Sequence, residues 1–584
     1  MTITPEEASH SLAKADEALY AQRFEEARAL YDKALQLFDA AGLACLGIAI
    51  TFHNEGEIDK ARQWYHRAAV HSPSMWQIWN GFGNLLSEIA RIEQAAVLLG
   101  RAQHLAPSEL RIACNRLMSH YYSDRITDEE IVAAARIIDR CLAPLAQHQL
   151  SPSARRPGAL RVGFVSPDLA AHPVGMFLMP LLRELDRRRI IPFAYFTGTY
   201  RDAVTDYIKG LTEWRDAATL FDDALAARIR EDEIDILIDL SGYTGGNRLE
   251  LFARRAAPIQ ISWLGYFGTT GLAAMDYVLT DRWHVPEGRE GQFTEKLLFM
   301  PNSRFCFAPA PFAPDVAPPP CLRNGYITFG SFNNRAKLTP SVIEAWAGVL
   351  NSVPGSRLLL KWRSLAAPSI RNELLDAFSR QGIEAARIEL RPASYHLDLF
   401  HEYGDMDIAL DPFPFSGGQT SVEALWMGVP VLTMPGPRAV SRQTLSMIGS
   451  LQRPDWLARW VAESPADLAA KAMTLAADRE GLREIRAALR QVMRASPLMD
   501  AQRFARDFEN CLFLAATAKG DPMNTLTIDD KSYNLDDLPE AAKSQLAHLQ
   551  FADSEIQRLQ LQLALAQTAK NTYLAALKEI LAKS

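Results

Sequence analysis

The sequence predicts an α/β protein: a pair of Rossmann-like domains in tandem, preceded by an all-α superhelix and followed by a short helical, coiled-coil tail. Three observations support this prediction. A 34-residue period runs through residues 1–147. From residue 158, short apolar runs alternate with helical stretches, which is typical of parallel sheets covered by helices. Residues 523–584 end in apolar positions spaced three and four apart, which indicates a coiled coil.

Length and composition exclude several classes of protein. A chain of 584 residues predicts about three or four domains. A net charge of −7 argues against a protein that binds nucleic acid by neutralising phosphates. The six cysteines lack CxxC spacing, as expected of reduced thiols in the cytoplasm. We find no secretory signal and no apolar run of the roughly 18 residues that span a bilayer, so we expect a cytoplasmic protein without a membrane span.

The period of residues 1–147 comes from copies of one helix. The phrases FEEARALYDKAL, IDKARQWYHRAA and IEQAAVLLGRAQ align, with Ala27, Ala61 and Ala95 at one shared position. This pattern resembles the tetratricopeptide repeat. We therefore expect a short superhelix whose concave face binds a protein or peptide. The alternative is a superhelix that only packs against its own chain or forms dimers.

Two parallel-sheet halves follow the repeats. Residues 158–307 contain the candidate strands LRVGFVS, IPFAYF, DILIDLSG, IQISWLG and DYVLTD. Residues 324–515 contain YITFGSF, RLLLKW, RIELRP, DIALDPF and VPVLTM. The polar stretch HQLSPSARRPGA is a predicted linker before the first half, and APAPFAPDVAPPP joins the two halves. Ligands of such sheets lie beyond the carboxyl ends of the strands, so the loops after the strands should carry the site.

The loop after DIALDPF reads PFSGGQTS and enters a helix. Gly418 would let the backbone approach a ligand closely. Gln419, Thr420 and Ser421 begin the helix, where free N–H groups and the helix dipole favour a phosphate. Glu423, one turn in, could accept hydrogen bonds from a ribose diol. Simple capping of the helix by Thr420 or Ser421 is the alternative.

Other loops are predicted to face the same cleft. In FGSFNNRAKLTP, Asn334 follows a strand and Lys337 could reach a diphosphate, where a cation would assist departure of a nucleotide in a sugar transfer. In VSPDLAAHPVGM, His172 could exchange protons or orient an acceptor. The glycine-rich loops SGYTGGNRLELF and LGYFGTTG contribute the predicted acceptor-side residues Tyr243, Thr244, Gly268, Thr269 and Thr270.

Together, these motifs resemble the bacterial members of the O-linked N-acetylglucosamine transferase (SPINDLY-like) family over roughly residues 5–515. The resemblance implies a GT-B fold with an acceptor-side first half and a nucleotide-sugar-binding second half. It implies inverting transfer from a nucleotide diphosphate sugar, such as UDP-N-acetylglucosamine, to Ser or Thr of a protein, with neither a metal ion nor a cofactor. It also implies that His172 is the histidine of the active site.

The resemblance gives roles to the residues of the second half. It places Lys337 and Thr420 on the donor diphosphate, with Asn334 beside them. It places Glu423 on the ribose. His396, in the phrase SYHLDLF, corresponds to a histidine that contacts the base.

This sequence also departs from the family pattern. The family's frequent His-Thr-Thr reads Gly418-Gln419-Thr420 here, so a histidine that contacts the donor is missing, and Ala336 stands where the family has a tyrosine. The identity of the sugar therefore stays open, and glucose or fucose would fit the same loops. A transferase that modifies flagellin or adhesins, with another sugar or an Asn acceptor, is an alternative, as is an inactive scaffold that binds a nucleotide. The DMD triplet at 405–407 resembles a metal-binding motif, but we expect it to open a strand.

The tail at 523–584 begins with the strand signals TLTI and KSYNL. A seam follows at Ile556, Leu559, Leu563, Ala566, Lys570, Tyr573, Leu577 and Ile580. We expect it to form a homo-oligomer or to bind a partner helix. The alternative is a separate small protein joined by fusion, with Thr525, Thr527 and Ser532 as acceptor hydroxyls.

Overall fold

The computed structural model describes residues 4–36, 40–145 and 158–520, the strands Thr525–Ile528 and Lys531–Asn534, and Pro539. Most of the predicted linker at 148–159 and the whole seam at 556–580 lie outside the described residues. The chain forms two compact units, Met1–Ala515 and Ala516–Ser584. Within the described residues, no helix is long and apolar enough to cross a membrane.

The described part of the repeat region consists of helices packed in pairs. These helices, α1 to α8, are Pro5–Tyr20, Phe24–Ala34, Ala41–Asn54, Ile58–His71, Trp76–Glu88, Ile92–Leu105, Leu110–His120 and Asp128–Leu142. The shared alanines Ala27, Ala61 and Ala95 are completely buried between them. A Cβ on Gly47 would lie 2.2 Å from the Tyr31 ring, so a glycine is needed where these helices approach. The predicted helical repeats are confirmed.

The first half contains a seven-stranded parallel sheet in the order β3-β2-β1-β4-β5-β6-β7. Strands β1 to β7 are Leu160–Ser166, Ile190–Phe196, Glu213–Asp216, Ile236–Asp239, Ile259–Ser262, Tyr277–Asp281 and Lys296–Met300. Helices α9 to α12 are Pro173–Glu184, Ala203–Gly210, Asp222–Glu231 and Leu249–Ala253. The strand order changes direction at β1 and β4, so the loops after these two strands flank the point where ligands bind such sheets.

The second half contains a five-stranded parallel sheet in the order β10-β9-β8-β11-β12. Strands β8 to β12 are Thr328–Ser331, Arg357–Lys361, Ile388–Arg391, Ile408–Leu410 and Val431–Leu432. Helices α13 to α21 are Cys321–Asn324, Pro340–Ser352, Pro368–Ser379, His396–Glu402, Gln419–Trp426, Gln443–Gly449, Pro454–Trp460, Pro465–Ala477 and Arg479–Arg494. Here the order changes direction at β8 and β11, so the loops that carry Lys337 and Gly418 meet.

The second half was predicted to extend to residue 515, but the last helix in that range packs against the first half. Helix α22, Ala501–Gly520, places the Phe508 ring 5.0 Å from the Trp263 ring and 6.4 Å from the Phe164 ring. These two aromatic partners belong to the core of the first sheet. The predicted end of the second half at residue 515 is therefore corrected. Burial of apolar rings stabilises the packing of α22 against the first half.

The repeat region packs against both halves. The Tyr266 hydroxyl of the first half donates a hydrogen bond of 3.0 Å to the Tyr121 hydroxyl. Arg438 of the second half pairs with Asp128 at 3.0 Å. The superhelix therefore packs against its own chain, as one part of the alternative prediction expected.

The second unit contains an antiparallel pair of strands, β13 (Thr525–Ile528) and β14 (Lys531–Asn534). Thr527 is opposite Ser532 in the register. The two strand signals predicted for the tail lie on these strands.

Candidate active site

A cleft of about 330 Å³ at the switch points of the two sheets brings together side chains from all three parts of the chain. It is lined by Met118 and Tyr122 of the repeat region, by His172, Pro173, Val174, Phe177, Thr244, Leu264, Gly265, Phe267 and Phe305 of the first half, and by Asn333, Asn334, Lys337, Trp362, Phe415, Gly418, Gln419, Thr420 and Gln443 of the second half. The predicted residues among them are His172, Thr244, Asn334, Lys337, Gly418, Gln419 and Thr420.

The loop before α17 is held in place by a buried carboxylate. Asp411, 2% exposed, accepts a hydrogen bond of 2.5 Å from the backbone N–H of Gly417. A Cβ on Gly417 would lie 2.0 Å from the Ser421 hydroxyl, so only glycine fits there. A Cβ on Gly418 would meet only Gln443, at 3.8 Å. The backbone is thus fixed at Gly417 and open toward the cleft at Gly418.

Lys337 places a cation beside this loop. Its Nζ donates a hydrogen bond of 2.8 Å to the carbonyl oxygen of Ser416 and lies 3.4 Å from Asn333 Oδ1. It also lies 4.5 Å from the centre of the Phe415 ring. Burial lowers the pKa of Lys337 to about 8, against the opposing effect of Asp411. Lys337 therefore remains mostly protonated at neutral pH.

Two consecutive asparagines after β8 have different roles. Asn333 Oδ1 accepts from Lys337 Nζ at 3.4 Å and from the Thr420 hydroxyl at 3.2 Å, so it joins the cation to the start of α17. Asn334 Oδ1 accepts from the backbone N–H of Ala336 at 3.0 Å and caps the turn that carries Lys337. Sequence reasoning selected Asn334, although the residue that bridges Lys337 and Thr420 is its neighbour.

Glu423 lies beneath the lining of the cleft. Its carboxyl group is 2% exposed and accepts hydrogen bonds from Gln419 Nε2 at 2.9 Å, from His396 Nε2 at 3.0 Å and from the Tyr403 hydroxyl at 3.3 Å. The hydrogen bond to Glu423 raises the pKa of His396. The predicted donor residues Gln419, His396 and Glu423 thus form one hydrogen-bonded group, of which Gln419 faces the cleft.

Ser421 does not present its side chain to the cleft. Its hydroxyl is 2.9 Å from the Thr444 hydroxyl, and the residue is 4% exposed. The prediction that the Ser421 side chain binds a donor is therefore corrected. The first turn of a helix points successive side chains in different directions, and this one turns inward.

His172 lies on the first-half side of the cleft, just before α9. Its Nδ1 is 3.8 Å from Asp168 Oδ2 and 3.4 Å from the backbone nitrogen of Val174. Burial lowers the pKa of His172, although Asp168 opposes this effect, and burial raises the pKa of Asp168. A neutral imidazole at the mouth of the cleft can accept a proton at neutral pH.

Most of the predicted acceptor-side residues are structural. Thr244 lines the cleft. The others are buried: Tyr243, Gly268, Thr269 and Thr270. The Thr269 hydroxyl donates a hydrogen bond of 2.7 Å to Glu295, and a Cβ on Gly268 would lie 1.9 Å from the Tyr121 hydroxyl. These side chains are not on the cleft, because the repeat region packs over their loop.

The aspartates at 405–407 are already paired. Asp405 forms an ion pair of 2.7 Å with Arg391. Asp407 is buried just before β11 and accepts hydrogen bonds from the backbone of Cys321 and Thr328, at 2.9 and 2.8 Å. Among the described residues, no group of three or more His, Cys, Asp or Glu side chains could hold a metal ion.

Sequence reasoning missed several residues of the cleft. Trp362 directly follows β9 and could have been found by the strand-end rule that identified Lys337. Tyr122 stacks on Phe415, with ring centres 4.8 Å apart. Nothing in the sequence indicated this contact, because it joins the repeat region to a distant loop.

Comparisons with known proteins agree with this architecture. The family model described as glycosyl transferase family 41 matches residues 135–309 and 321–508. The probable UDP-N-acetylglucosamine–peptide N-acetylglucosaminyltransferase SPINDLY of Oryza sativa subsp. japonica is 37% identical over 417 residues, which are 69% of this chain and 44% of that protein. Its counterpart from Solanum lycopersicum is 35% identical over 414 residues, with the same coverage. The chain thus spans less than half the length of these relatives.

A solved structure is similar over most of the chain. It is an O-GlcNAc transferase mutant from Thermobaculum terrenum, with a TM-score of 0.83 and 30% sequence identity. The match covers 89% of this chain and 99% of that one. The GT-B fold and the family resemblance predicted from the sequence are confirmed. The chain belongs to glycosyl transferase family 41.

Proposed function

We propose that this glycosyltransferase moves a sugar from a UDP-linked donor, with UDP-N-acetylglucosamine as the first candidate, to Ser or Thr hydroxyls of a protein. Transfer inverts the anomeric carbon and needs no metal ion. The observation that carries the proposal is the bridge through Asn333 that joins the Lys337 cation to Thr420 at the start of α17. The names of the two plant relatives and of the bacterial structure support the donor and the acceptor class.

The second half supplies the groups that a nucleotide diphosphate needs. The Thr420 hydroxyl and the free N–H groups of the first turn of α17 can bind phosphate oxygens. The diphosphate gains negative charge as its bond to the sugar breaks, and the Lys337 ammonium stabilises this charge in a desolvated site. Lys337 thus serves where a metal ion would otherwise neutralise the leaving group.

The first half supplies the group that receives a proton. The acceptor hydroxyl attacks the anomeric carbon on the face opposite the diphosphate, so one carbon–oxygen bond forms as the other breaks and the configuration inverts. The hydroxyl proton passes to the neutral imidazole of His172. Asp168, at 3.8 Å, then stabilises the imidazolium.

The repeat region is suited to deliver a protein acceptor. Met118 and Tyr122, from the end of α7 and the loop after it, line the cleft together with His172. A polypeptide segment bound along the repeats can therefore place a hydroxyl at the anomeric carbon without leaving that surface.

The test combines nucleotide binding with transfer to peptides. The whole chain is screened by thermal shift with UDP, GDP and CMP, then incubated with an array of Ser-, Thr- and Asn-containing peptides and radiolabelled UDP-sugars, with and without EDTA. We expect stabilisation by UDP and EDTA-resistant label that alkaline β-elimination releases. Label that resists β-elimination and sits on Asn peptides would favour the alternative acceptor. Stabilisation by a nucleotide without label on any peptide would favour the inactive scaffold, and no stabilisation by any nucleotide would contradict the proposal.

A further inference from the structure

The Lys337 ammonium group is desolvated but has few polar partners. It carries three N–H donors. Among the described residues it has two acceptors, the carbonyl oxygen of Ser416 at 2.8 Å and Asn333 Oδ1 at 3.4 Å. No carboxylate of the described residues forms an ion pair with it, although the charge of Asp411 favours its protonation. A charge removed from water in this way needs a further stabilising contact.

The aromatic ring of Phe415 provides that contact. Lys337 Nζ lies over the ring, 4.5 Å from its centre. The face of an aromatic ring carries negative partial charge, and its attraction for a cation is strongest where water is excluded. Phe415 directly precedes Ser416, so two consecutive residues give the same ammonium group a ring face and a carbonyl oxygen.

Contacts from the other two parts of the chain fix the Phe415 ring. Tyr122 of the repeat region stacks on it, with ring centres 4.8 Å apart and planes inclined by 24°. Phe267 of the first half meets it edge to face, with ring centres 4.6 Å apart and planes inclined by 74°. Phe415 is 9% exposed and lines the cleft. These contacts keep the face of the ring toward the ammonium group.

We propose that Phe415 is a positioning residue whose ring face holds the Lys337 ammonium group in its charged form beside the loop that begins α17. Phe415 acts through Lys337 and need not contact the donor itself. The consequence of this contact for catalysis rests on the proposed function, in which Lys337 stabilises the leaving diphosphate. The contact between the ring and the ammonium group does not rest on it.

The contact has a definite effect on proton binding. A ring face stabilises the protonated amine only, so a weaker ring face should lower the pKa of Lys337. The other titratable groups around the site are Asp411 just after β11, Tyr122 of the repeat region and His172 of the first half. A change confined to the charge distribution of the Phe415 ring leaves these groups in place.

The first experiment weakens the ring face and keeps the shape of the side chain. Mono-, di- and trifluorinated phenylalanines are placed at position 415 of the whole chain by nonsense suppression, because fluorine withdraws electrons from the face of the ring. The pKa of Lys337 in the ligand-free protein is measured from the pH dependence of its reaction with trace acetic anhydride, quantified by mass spectrometry. We expect this pKa to fall stepwise, by about 0.5–1 pH unit with three fluorines.

The control places the same fluorinated residues at Phe378. This ring is buried on α15, outside the cleft. The pKa of Lys337 should then match that of the unaltered protein. A fall of equal size at both positions would show a general effect of fluorination and would overturn the inference.

Two conventional variants provide a second readout in the transfer assay. Phe415→Tyr keeps an aromatic face, whereas Phe415→Leu removes it. In Phe415→Leu, the basic limb of the pH profile of kcat/KM should move about 1 pH unit toward neutrality. In Phe415→Tyr, the basic limb should stay in place and kcat/KM should remain within about threefold of the unaltered enzyme.

The outcomes separate this inference from the proposed function. A pKa of Lys337 that does not fall with fluorination would overturn the inference, and the proposed function would stand. A stepwise fall together with an unmoved basic limb in Phe415→Leu would overturn the positioning role of Phe415. A stepwise fall in a protein that neither binds a nucleotide nor transfers a sugar would confirm the contact and overturn the proposed function.

Discussion

The ammonium nitrogen of Lys337 lies 2.8 Å from the carbonyl oxygen of Ser416, so the cation is tied to the loop that begins α17. Asn333 joins the same ammonium group to Thr420. The positive charge to which the proposed function assigns the leaving diphosphate is thus held in position by the protein itself. Such preorganisation avoids reorganising the site during the reaction.

Replacement of Lys337 by alanine should lower kcat about 10²- to 10³-fold, because the transition state loses its main positive charge. Circular dichroism should be unchanged. Lys296→Ala removes an exposed lysine of the first half and should keep full activity. Steady-state kinetics on a peptide acceptor provides the measurement. Turnover of Lys337→Ala at the rate of the unaltered enzyme would contradict the role of Lys337 in leaving-group departure.

Replacement of Lys337 by methionine should stabilise the ligand-free protein while it abolishes activity. Burial lowers the pKa of Lys337 from 10.5 to about 8 in the folded state, so between these values the unfolded chain binds more protons. The contribution of Lys337 to the free energy of unfolding should therefore rise from pH 8 to pH 10.5. At pH 7, Lys337→Met should be more stable by about 1–2 kcal/mol. Urea unfolding of both proteins at several pH values tests this, and a less stable variant at pH 7 would refute it.

The pH profile of kcat/KM should be bell-shaped. Activity should rise as pH increases through the pKa of His172, which burial places below the ordinary 6.5, because only the neutral imidazole accepts a proton. Activity should fall above pH 8 or so, as Lys337 loses its charge. In His172→Gln, kcat should fall about 10²- to 10⁴-fold and the acid limb should vanish. Persistence of the acid limb in that variant would assign the base to another group.

The aromatic ring of Tyr122, and not its hydroxyl group, should be required for full activity. Tyr122→Ala removes the stacking on Phe415, which also contacts Lys337, and should lower kcat/KM about 3- to 10-fold. Tyr122→Phe keeps the ring and should stay within about twofold of the unaltered enzyme. Both variants are compared in initial-rate assays at fixed donor concentration. An equal loss in the two variants would show that the hydroxyl, and not the ring, is required.

The sequence predicted every strand of the second sheet and the interior strands of the first, but it missed the two edge strands of the first sheet. Candidate strands such as LRVGFVS and RLLLKW contain β1 and β9, because strands buried on both faces read as continuous apolar runs. Glu213–Asp216 was missed, since it is an edge strand with the charged sequence EWRD. Lys296–Met300 occupies the opposite edge of the same sheet and is only partly buried.

The sequence predicted those residues of the candidate site that directly follow the strands at the switch points. His172, Lys337 and Thr420 follow strands at the switch points, and the cleft contains all three. Burial of Thr270, which removes it from the site, depends on which surface the repeat region covers. The contact of Tyr122 with the cleft depends on the same packing. This packing joins residues that are far apart in the chain, so no local sequence pattern predicts it.

The return of helix α22 to the first half has a consequence for biosynthesis. The ribosome releases Phe164 and Trp263 long before it releases Phe508, the residue that packs against them. The first half therefore cannot finish folding during its own translation and must wait for the second half to emerge. A chain that ends before residue 501 would leave these two rings uncovered, so early termination yields a target for chaperones and proteases rather than a working half.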